Sequence, residues 1–173
     1  MGIRITSLNI TSETRFPFRT PDPSNTIDTI IASLVDIESS IDSEQVDSEI
    51  TELETGGEFF SQNSRPCLNI KLRNAKAKEL KKFGCLILPI TFGNLVYLVK
   101  YEYLDAGFFD LFSGNSAIER ARNIKKKLNT LDKWMEYTFI QTLGDYVYVE
   151  MLQKHDPNYQ DNLKSFQTFL SVV

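Results

Sequence analysis

Histidine and cysteine are scarce in this sequence. Its 173 residues include one histidine, His155, and two cysteines, Cys67 and Cys85. A structural zinc site needs clustered Cys and His ligands, and nucleophilic catalysis needs a histidine close to a cysteine or serine with a third group to orient it. The spacing of these three residues predicts neither arrangement. We therefore expect the cysteines to be small buried residues and His155 to lie in a surface loop.

Motifs for phosphate, nucleotide and calcium binding are also missing. The sequence contains no G-x-x-x-x-G-K-[S/T] loop, no G-x-G-x-x-G fingerprint and no EF-hand pattern. Its many carboxylates fall on a segment that we expect to be mobile, which disfavours a rigid catalytic pair. We therefore predict a protein that is not an enzyme and that uses no cofactor and no metal ion.

Long uninterrupted apolar runs are absent as well. The longest apolar stretch, residues 83–99, is interrupted by Gly84, Pro89 and Gly93, whereas a transmembrane helix needs ~20 largely apolar residues. Residues 1–6 lack the basic region and the apolar run of a signal peptide. We therefore expect neither a signal peptide nor a transmembrane segment.

The composition that is present is typical of one globular domain. Apolar residues make up 42% of the chain and charged residues 24%, with 12 Phe and 7 Tyr. A chain of this length forms a single core that buries about 70% of the surface of the unfolded chain. We therefore predict one domain over residues 1–173 that does not depend on disulfides.

The charged residues are arranged in blocks, although the formal net charge is only -4. No Lys or Arg lies between Arg19 and Arg65. The acidic block contains the first set of candidate binding residues, which are Asp36, Asp42, Glu44, Asp47, Glu49, Glu52 and Glu54. Two later blocks are basic and contain the second set, which is Lys71, Arg73, Lys76, Lys78, Arg122, Lys125, Lys126 and Lys133. Separated charges of this kind indicate oriented contacts with partners, and an ordinary solvated surface is the alternative interpretation.

Two segments have the apolar periodicity of amphipathic helices. The first covers residues 27–41, with candidate caps at residues 24–26. The second begins at a capping box formed by Ser116 and Glu119, and its apolar stripe extends to Met135.

Strand patterns occupy much of the remaining chain. Residues 15–23 contain three prolines, so we predict an irregular connection after the first strand. The predicted strands are residues 3–11, residues 67–72, a hairpin of residues 83–90 and 94–104, and a second hairpin of residues 136–142 and 146–152. The near-continuous apolar character of the first hairpin predicts a central pair covered on both faces.

Residues 42–64 are rich in Ser, Asp and Glu, and we expect a mobile acidic segment there. Val46, Ile50 and Leu53 permit a short helix within it, and residues 74–82 permit a short basic helix. The predicted fold class is α+β, with a mixed or antiparallel sheet built from an N-terminal strand and two hairpins and packed with two amphipathic helices.

The order of these elements, with Pro17-Phe18-Arg19-Thr20 joining the first strand to the first helix, resembles the matrix proteins of rhabdoviruses, including the short members that infect plants. The resemblance implies a viral structural protein of the virion and host cytoplasm. Such a protein self-associates, binds the nucleocapsid and bridges it to the membrane. The resemblance also implies that basic residues contact the membrane or the nucleocapsid, with Lys71, Arg73, Lys76, Lys125 and Lys126 as candidates.

A regulatory or inhibitory module that binds proteins, of the viral accessory or immunity type, is the alternative. Its acidic segment, residues 36–58, would capture a basic partner or imitate nucleic acid. The expected partners are thus a second copy of the chain, a nucleocapsid or other protein, and an anionic membrane surface. Because the net charge is negative, we do not expect strong direct binding to nucleic acid.

Overall fold

The structure, a computed structural model, describes residues 2–41, 44–57, 60–105, 116–161 and 164. It has the α+β architecture that the sequence predicts, because helices pack on a single mixed sheet. The described strands are β1 (Ile3–Arg4), β2 (Leu8–Arg19), β3 (Val46–Gly57), β4 (Phe60–Leu72), β5 (Phe83–Phe92) and β6 (Leu95–Asp105). The described helices of more than one turn are α1 (Pro23–Ser40), α2 (Ala117–Lys127) and α3 (Leu131–His155).

The sheet is curled. Its strand order is β1-β3-β4-β5-β6-β2, with every neighbouring pair antiparallel except the parallel pair of β1 and β3. A single 3-10 turn, Ile5–Ser7, separates β1 from β2, yet these two strands lie at opposite edges of the sheet. Such a short connection spans the two edges only because the sheet curls until they approach each other.

The central hairpin of β5 and β6 is confirmed, with a turn at Gly93 and Asn94. Gly93 has a φ of 60°, which the first central position of a type II′ turn requires and which glycine adopts readily. Side chains of β5 alternate between two buried clusters, so the prediction that both faces are covered is also correct. Ile87 packs towards the helices, whereas Leu86 and Leu88 pack inside the curl of the sheet.

The largest correction concerns residues 136–152, which are helical. The predicted second hairpin does not exist, because these residues form the middle of the 25-residue helix α3. Its buried positions have helical spacing and are Tyr137, Ile140, Gly144, Val147, Tyr148, Met151 and Leu152. This face packs on the sheet beside α1. The local sequence permits both a hairpin and a helix, and tertiary packing selects the helix.

The N-terminal part also differs from the prediction. Strand β2 continues to Arg19 and includes Pro17, where an irregular connection was expected. Proline is tolerated there because β2 is an edge strand and pairs on one side only with β6. Helix α1 follows with Asp22 as its cap, the Asp22 Oδ1 accepting a hydrogen bond from Asn25 N at 3.1 Å, so the cap lies before the predicted residues 24–26.

The acidic segment is also more regular than predicted. Residues 46–57 form β3 and residues 60–64 begin β4, where a mobile segment or a short helix was expected. Residues 42, 43, 58 and 59, including Asp42 of the acidic candidates, lie outside the described residues. The basic segment 74–82 contains only a 3-10 turn, Lys78–Lys82.

The capping box of Ser116 and Glu119 is confirmed at the start of α2. The helix ends at Lys127, however, and Thr130 caps a separate helix, α3. The predicted stripe to Met135 is therefore divided between two helices.

Candidate functional site

The segment after β4 is held against the beginning of α3 by backbone hydrogen bonds. The Glu136 carboxylate accepts one bond from Lys76 N at 2.8 Å and one from Ala77 N at 3.0 Å. Leu80, fully buried, anchors the 3-10 turn to the core. The carboxylate thereby places a lysine-rich stretch next to the first turns of α3.

The two basic blocks of the sequence meet at Glu79. Lys133 Nζ lies 3.5 Å from Glu79 Oε2 and donates a hydrogen bond to the Lys127 carbonyl oxygen at 3.4 Å. A hydrogen bond from its own backbone lowers the pKa of Glu79, and the charges of Lys133 and Lys127 lower it further. We define the basic patch as Lys76, Lys78, Lys81, Lys82, Lys125, Lys126, Lys127 and Lys133.

The patch includes five of the eight predicted basic residues, and the other three differ from it. Arg73 Nε forms an ion pair with Asp47 Oδ1 at 2.7 Å. Lys71 Nζ lies 3.8 Å from Asp105 Oδ2 and 5.5 Å from the centroid of the Tyr103 ring. Both therefore pair with acidic residues of the sheet strands, whereas Lys133 pairs with Glu79 between the two basic blocks. The third, Arg122, is exposed on α2 before the patch begins.

Exposed apolar side chains lie at the start of α3, next to the patch. Leu131 is 75% exposed and Trp134 is 40% exposed, although the sequence predicts that Leu131 belongs to a buried stripe. The break between α2 and α3 explains the error, because the stripe ends at the buried residue Leu128. Trp134 is held by an edge-on contact with the Tyr137 ring, with 5.9 Å between ring centroids.

The acidic candidates on β3 are engaged by neighbouring strands. Besides the Asp47–Arg73 pair, Glu54 Oε2 accepts a hydrogen bond from Arg4 Nε at 3.1 Å. Two polar side chains contact the remaining acids, Asn69 donating to Glu49 at 3.2 Å and Ser64 donating to Glu52 at 2.6 Å. The other two described candidates, Asp36 and Glu44, are exposed. Opposite charges therefore mix along β3 and β4, whereas the patch combines eight lysines with the carboxylates of Glu79 and Glu136.

A buried polar cluster that the sequence did not predict lies between α3 and β6. Lys100 Nζ contacts Glu102 Oε1 at 3.3 Å and forms a second ion pair with Asp145. Gln141 donates to Glu102 Oε2 at 3.0 Å and to the Tyr137 hydroxyl at 3.0 Å. The available signal was a Lys and a Glu two positions apart in an otherwise apolar strand, which places both on one face.

The properties of this cluster fit a structural role in holding α3 on the sheet. Burial lowers the pKa of Lys100, but the Asp145 hydrogen bond and the Glu102 charge outweigh it and raise the pKa above the ordinary value. Burial raises the pKa of the adjacent Cys85 thiol to about 12, so this thiol stays protonated at neutral pH. The ions are paired and the thiol is inert, which suits a role in docking α3 on the sheet.

His155 is the last residue of α3 and not part of a surface loop as predicted. Its Nε2 atom lies 3.0 Å from Ser33 Oγ on α1. Ser33 is buried at 4% exposure, so this pair connects two helices and does not present a nucleophile to solvent. Within the described part of the chain, no group of three or more His, Cys, Asp or Glu side chains is placed to hold a metal ion.

No protein-family model, curated protein or solved structure matches this chain. The likeness to rhabdovirus matrix proteins therefore stays a prediction, and two features on which it rests have changed. The Pro17–Arg19 string lies within β2, and the second hairpin is α3. Among the helices of the described residues, none has the length and apolar character needed to span a bilayer.

Proposed function

We propose that this chain is a non-enzymatic structural protein that attaches to an anionic membrane surface and assembles there with further copies of itself. The observation that carries the proposal is the convergence of two basic blocks into one patch, beside the exposed Leu131 and Trp134. This is the role that the resemblance to matrix proteins implies. In that role the protein would also hold a nucleocapsid at the membrane.

The two parts of this surface would act by different forces. Each lysine near an anionic leaflet contributes about 1 kcal/mol, and this attraction weakens as salt rises. Leu131 and Trp134 would enter the interfacial region, where tryptophan is favoured because its ring is largely apolar and its N–H is polar. A membrane satisfies both parts of the surface, whereas nucleic acid phosphates would satisfy only the lysines.

The alternative, an inhibitory module that uses its acidic segment, has less support from the geometry. Asp47 and Glu54 are neutralised by Arg73 and Arg4 within the sheet. Exposed ion pairs of this kind are weak, but they still reduce the negative potential that a basic partner would meet.

Co-sedimentation with vesicles tests the membrane proposal. We expect the protein to bind vesicles of phosphatidylcholine and phosphatidylserine, to release them at high salt, and not to bind phosphatidylcholine alone. The double variant Lys81→Glu/Lys82→Glu should bind at least about tenfold more weakly, because two attractive charges become repulsive. Leu131→Ser should weaken binding by a similar factor at low and at intermediate salt, because its contribution is apolar and salt does not screen it.

A matched control is the double variant Arg19→Glu/Lys154→Glu, which makes the same change in net charge at exposed residues outside the patch. It should retain nearly normal vesicle binding. Equal losses in both double variants would show that net charge and not the patch controls binding. No binding to anionic vesicles at low salt would overturn the proposal.

A further inference from the structure

One side of α3 is largely apolar over residues 135–149. Beyond the patch, Met135, Phe139, Tyr146 and Val149 are all exposed, with Met135 at 61% and Tyr146 at 64%. Their spacing places them on one side of the helix, opposite the buried side that contains Ile140, Val147 and Met151. Exposed apolar faces of this extent in a folded domain mark interaction sites.

This face continues into a cleft between α1 and α3. Phe139 and Tyr146 form one wall, and Ile37, Ile41 and Val46 contribute to the other. The cleft has a volume of about 470 Å³. Ser40, Gln45 and Glu150 also line the cleft, so the surface beyond the helix is partly apolar and partly polar.

We propose that this face is a two-fold interface at which a second copy of the chain packs its α3 antiparallel to the first. Thr142 would lie near the axis, with Met135 against the partner subunit's Val149 and Phe139 against the partner subunit's Tyr146. The inference rests on the self-association in the proposed function and names the contact that performs it.

The distribution of residues along α3 selects a second copy in this orientation. Met135 and Val149 lie about two helical turns before and after Thr142, and Phe139 and Tyr146 about one turn before and after it, so the face is complementary to itself under a two-fold rotation. Antiparallel packing also sets the two helix dipoles in opposite directions, which is favourable, whereas parallel packing would align them.

The size of the face predicts a weak, reversible dimer. Helix α3 has 25 residues, which corresponds to a length of about 37 Å. One helix face with the adjoining cleft reaches only the lower range of specific interfaces, about 1,200 Å² in total. In this dimer the two Lys133 residues would stand roughly 27 Å apart along the helix pair, so two basic patches could contact one membrane.

Crosslinking in solution, without lipid, tests the interface. Cys67 and Cys85 are fully buried, so an introduced surface cysteine is the reactive one. With a short bismaleimide reagent, Thr142→Cys should give at least about tenfold more covalent dimer than the control Asp36→Cys on α1. Mixed Met135→Cys and Val149→Cys proteins should crosslink to each other, whereas Met135→Cys alone should not.

Sedimentation equilibrium supplies the second measurement. The wild-type chain should show a concentration-dependent dimer, and Met135→Glu should weaken it at least about tenfold while circular dichroism shows an unchanged fold. A chain that stays monomeric at all concentrations, or efficient crosslinking of Met135→Cys with itself, would overturn this interface. A monomeric chain would also remove the assembly part of the proposed function, but not its membrane part, which vesicle binding by Lys81→Glu/Lys82→Glu measures separately.

Discussion

Gly144 of α3 lies so close to Cys85 of β5 that a methyl group on its Cα would stand 2.7 Å from the Cys85 Sγ atom. Cβ atoms essentially never lie this close to another heavy atom, and Cys85 is fully buried. The glycine therefore lets a long helix lie directly on the central strand. The same contact brings Asp145 to the buried Lys100.

The first prediction is that Gly144→Ala destabilises the protein by about 1 kcal/mol. Alanine gains about 1 kcal/mol over glycine within a helix, but overpacking at a buried contact costs about 1–3 kcal/mol. In a Cys85→Ala background the closest contact disappears, and the next neighbour, Cβ of residue 85, stands at 3.4 Å. There Gly144→Ala should be neutral or stabilising in urea unfolding. Equal effects in the two backgrounds would contradict this account.

The second prediction concerns the buried ion cluster. Lys100→Met should destabilise the protein by about 3–5 kcal/mol, because it leaves the Glu102 carboxylate without its cation in a buried environment. Lys100→Met/Glu102→Gln should recover much of this loss, since no unpaired charge remains. Asp145→Asn is the control, and we expect a cost below about 1 kcal/mol because Asp145 is 63% exposed. A double variant no more stable than Lys100→Met would refute the pairing.

Gly144 also explains why the sequence predicts a hairpin over residues 136–152. Alternating apolar residues flank Leu143, Gly144 and Asp145, and this tripeptide has the composition of a turn. The glycine instead provides space for Cys85, which is distant in sequence. No local pattern distinguishes a turn glycine from a packing glycine, so the error could be removed only by knowledge of the tertiary contact.

The central hairpin and the α2 capping box were predictable because their signals are local. A Gly-Asn turn between apolar runs and a Ser–Glu pair at helix spacing each determine their own backbone. The basic patch was predictable only in part. Its lysines form visible blocks, but their meeting at Glu79 depends on how Glu136 holds the segment after β4.

The third prediction is a pH dependence due to His155. Burial lowers the pKa of this histidine below its ordinary value of 6.5, and Lys154 lowers it further. His155 therefore binds a proton more readily in the unfolded chain than in the folded protein. Its protonation lowers the free energy of unfolding as the pH falls from about 6.5 towards the lower pKa of the folded state. His155→Gln lacks this titration and keeps a partner for Ser33.

Thermal unfolding from about pH 8 to pH 5 measures the effect. The melting temperature of the wild type should fall more steeply on acidification than that of His155→Gln, while carboxylate titrations cancel in the comparison. A constant difference across this range would show that His155 does not titrate between the two states.

The fourth prediction concerns Glu136, which positions the lysine-rich segment. Glu136→Ala removes the acceptor for the N–H groups of Lys76 and Ala77, so their amide hydrogen exchange should accelerate and the protein should lose about 1–3 kcal/mol of stability. Asp132→Ala, which removes the same charge one turn earlier, should leave both exchange rates unchanged. Comparing the two variants also separates the effect of the lost charge from the effect of the position of the lysine-rich segment. Loss of an acidic group beside the patch would by itself strengthen the binding of both variants to anionic vesicles. We expect Glu136→Ala to bind these vesicles more weakly than Asp132→Ala. This result would show that binding depends on the backbone segment that Glu136 holds in place.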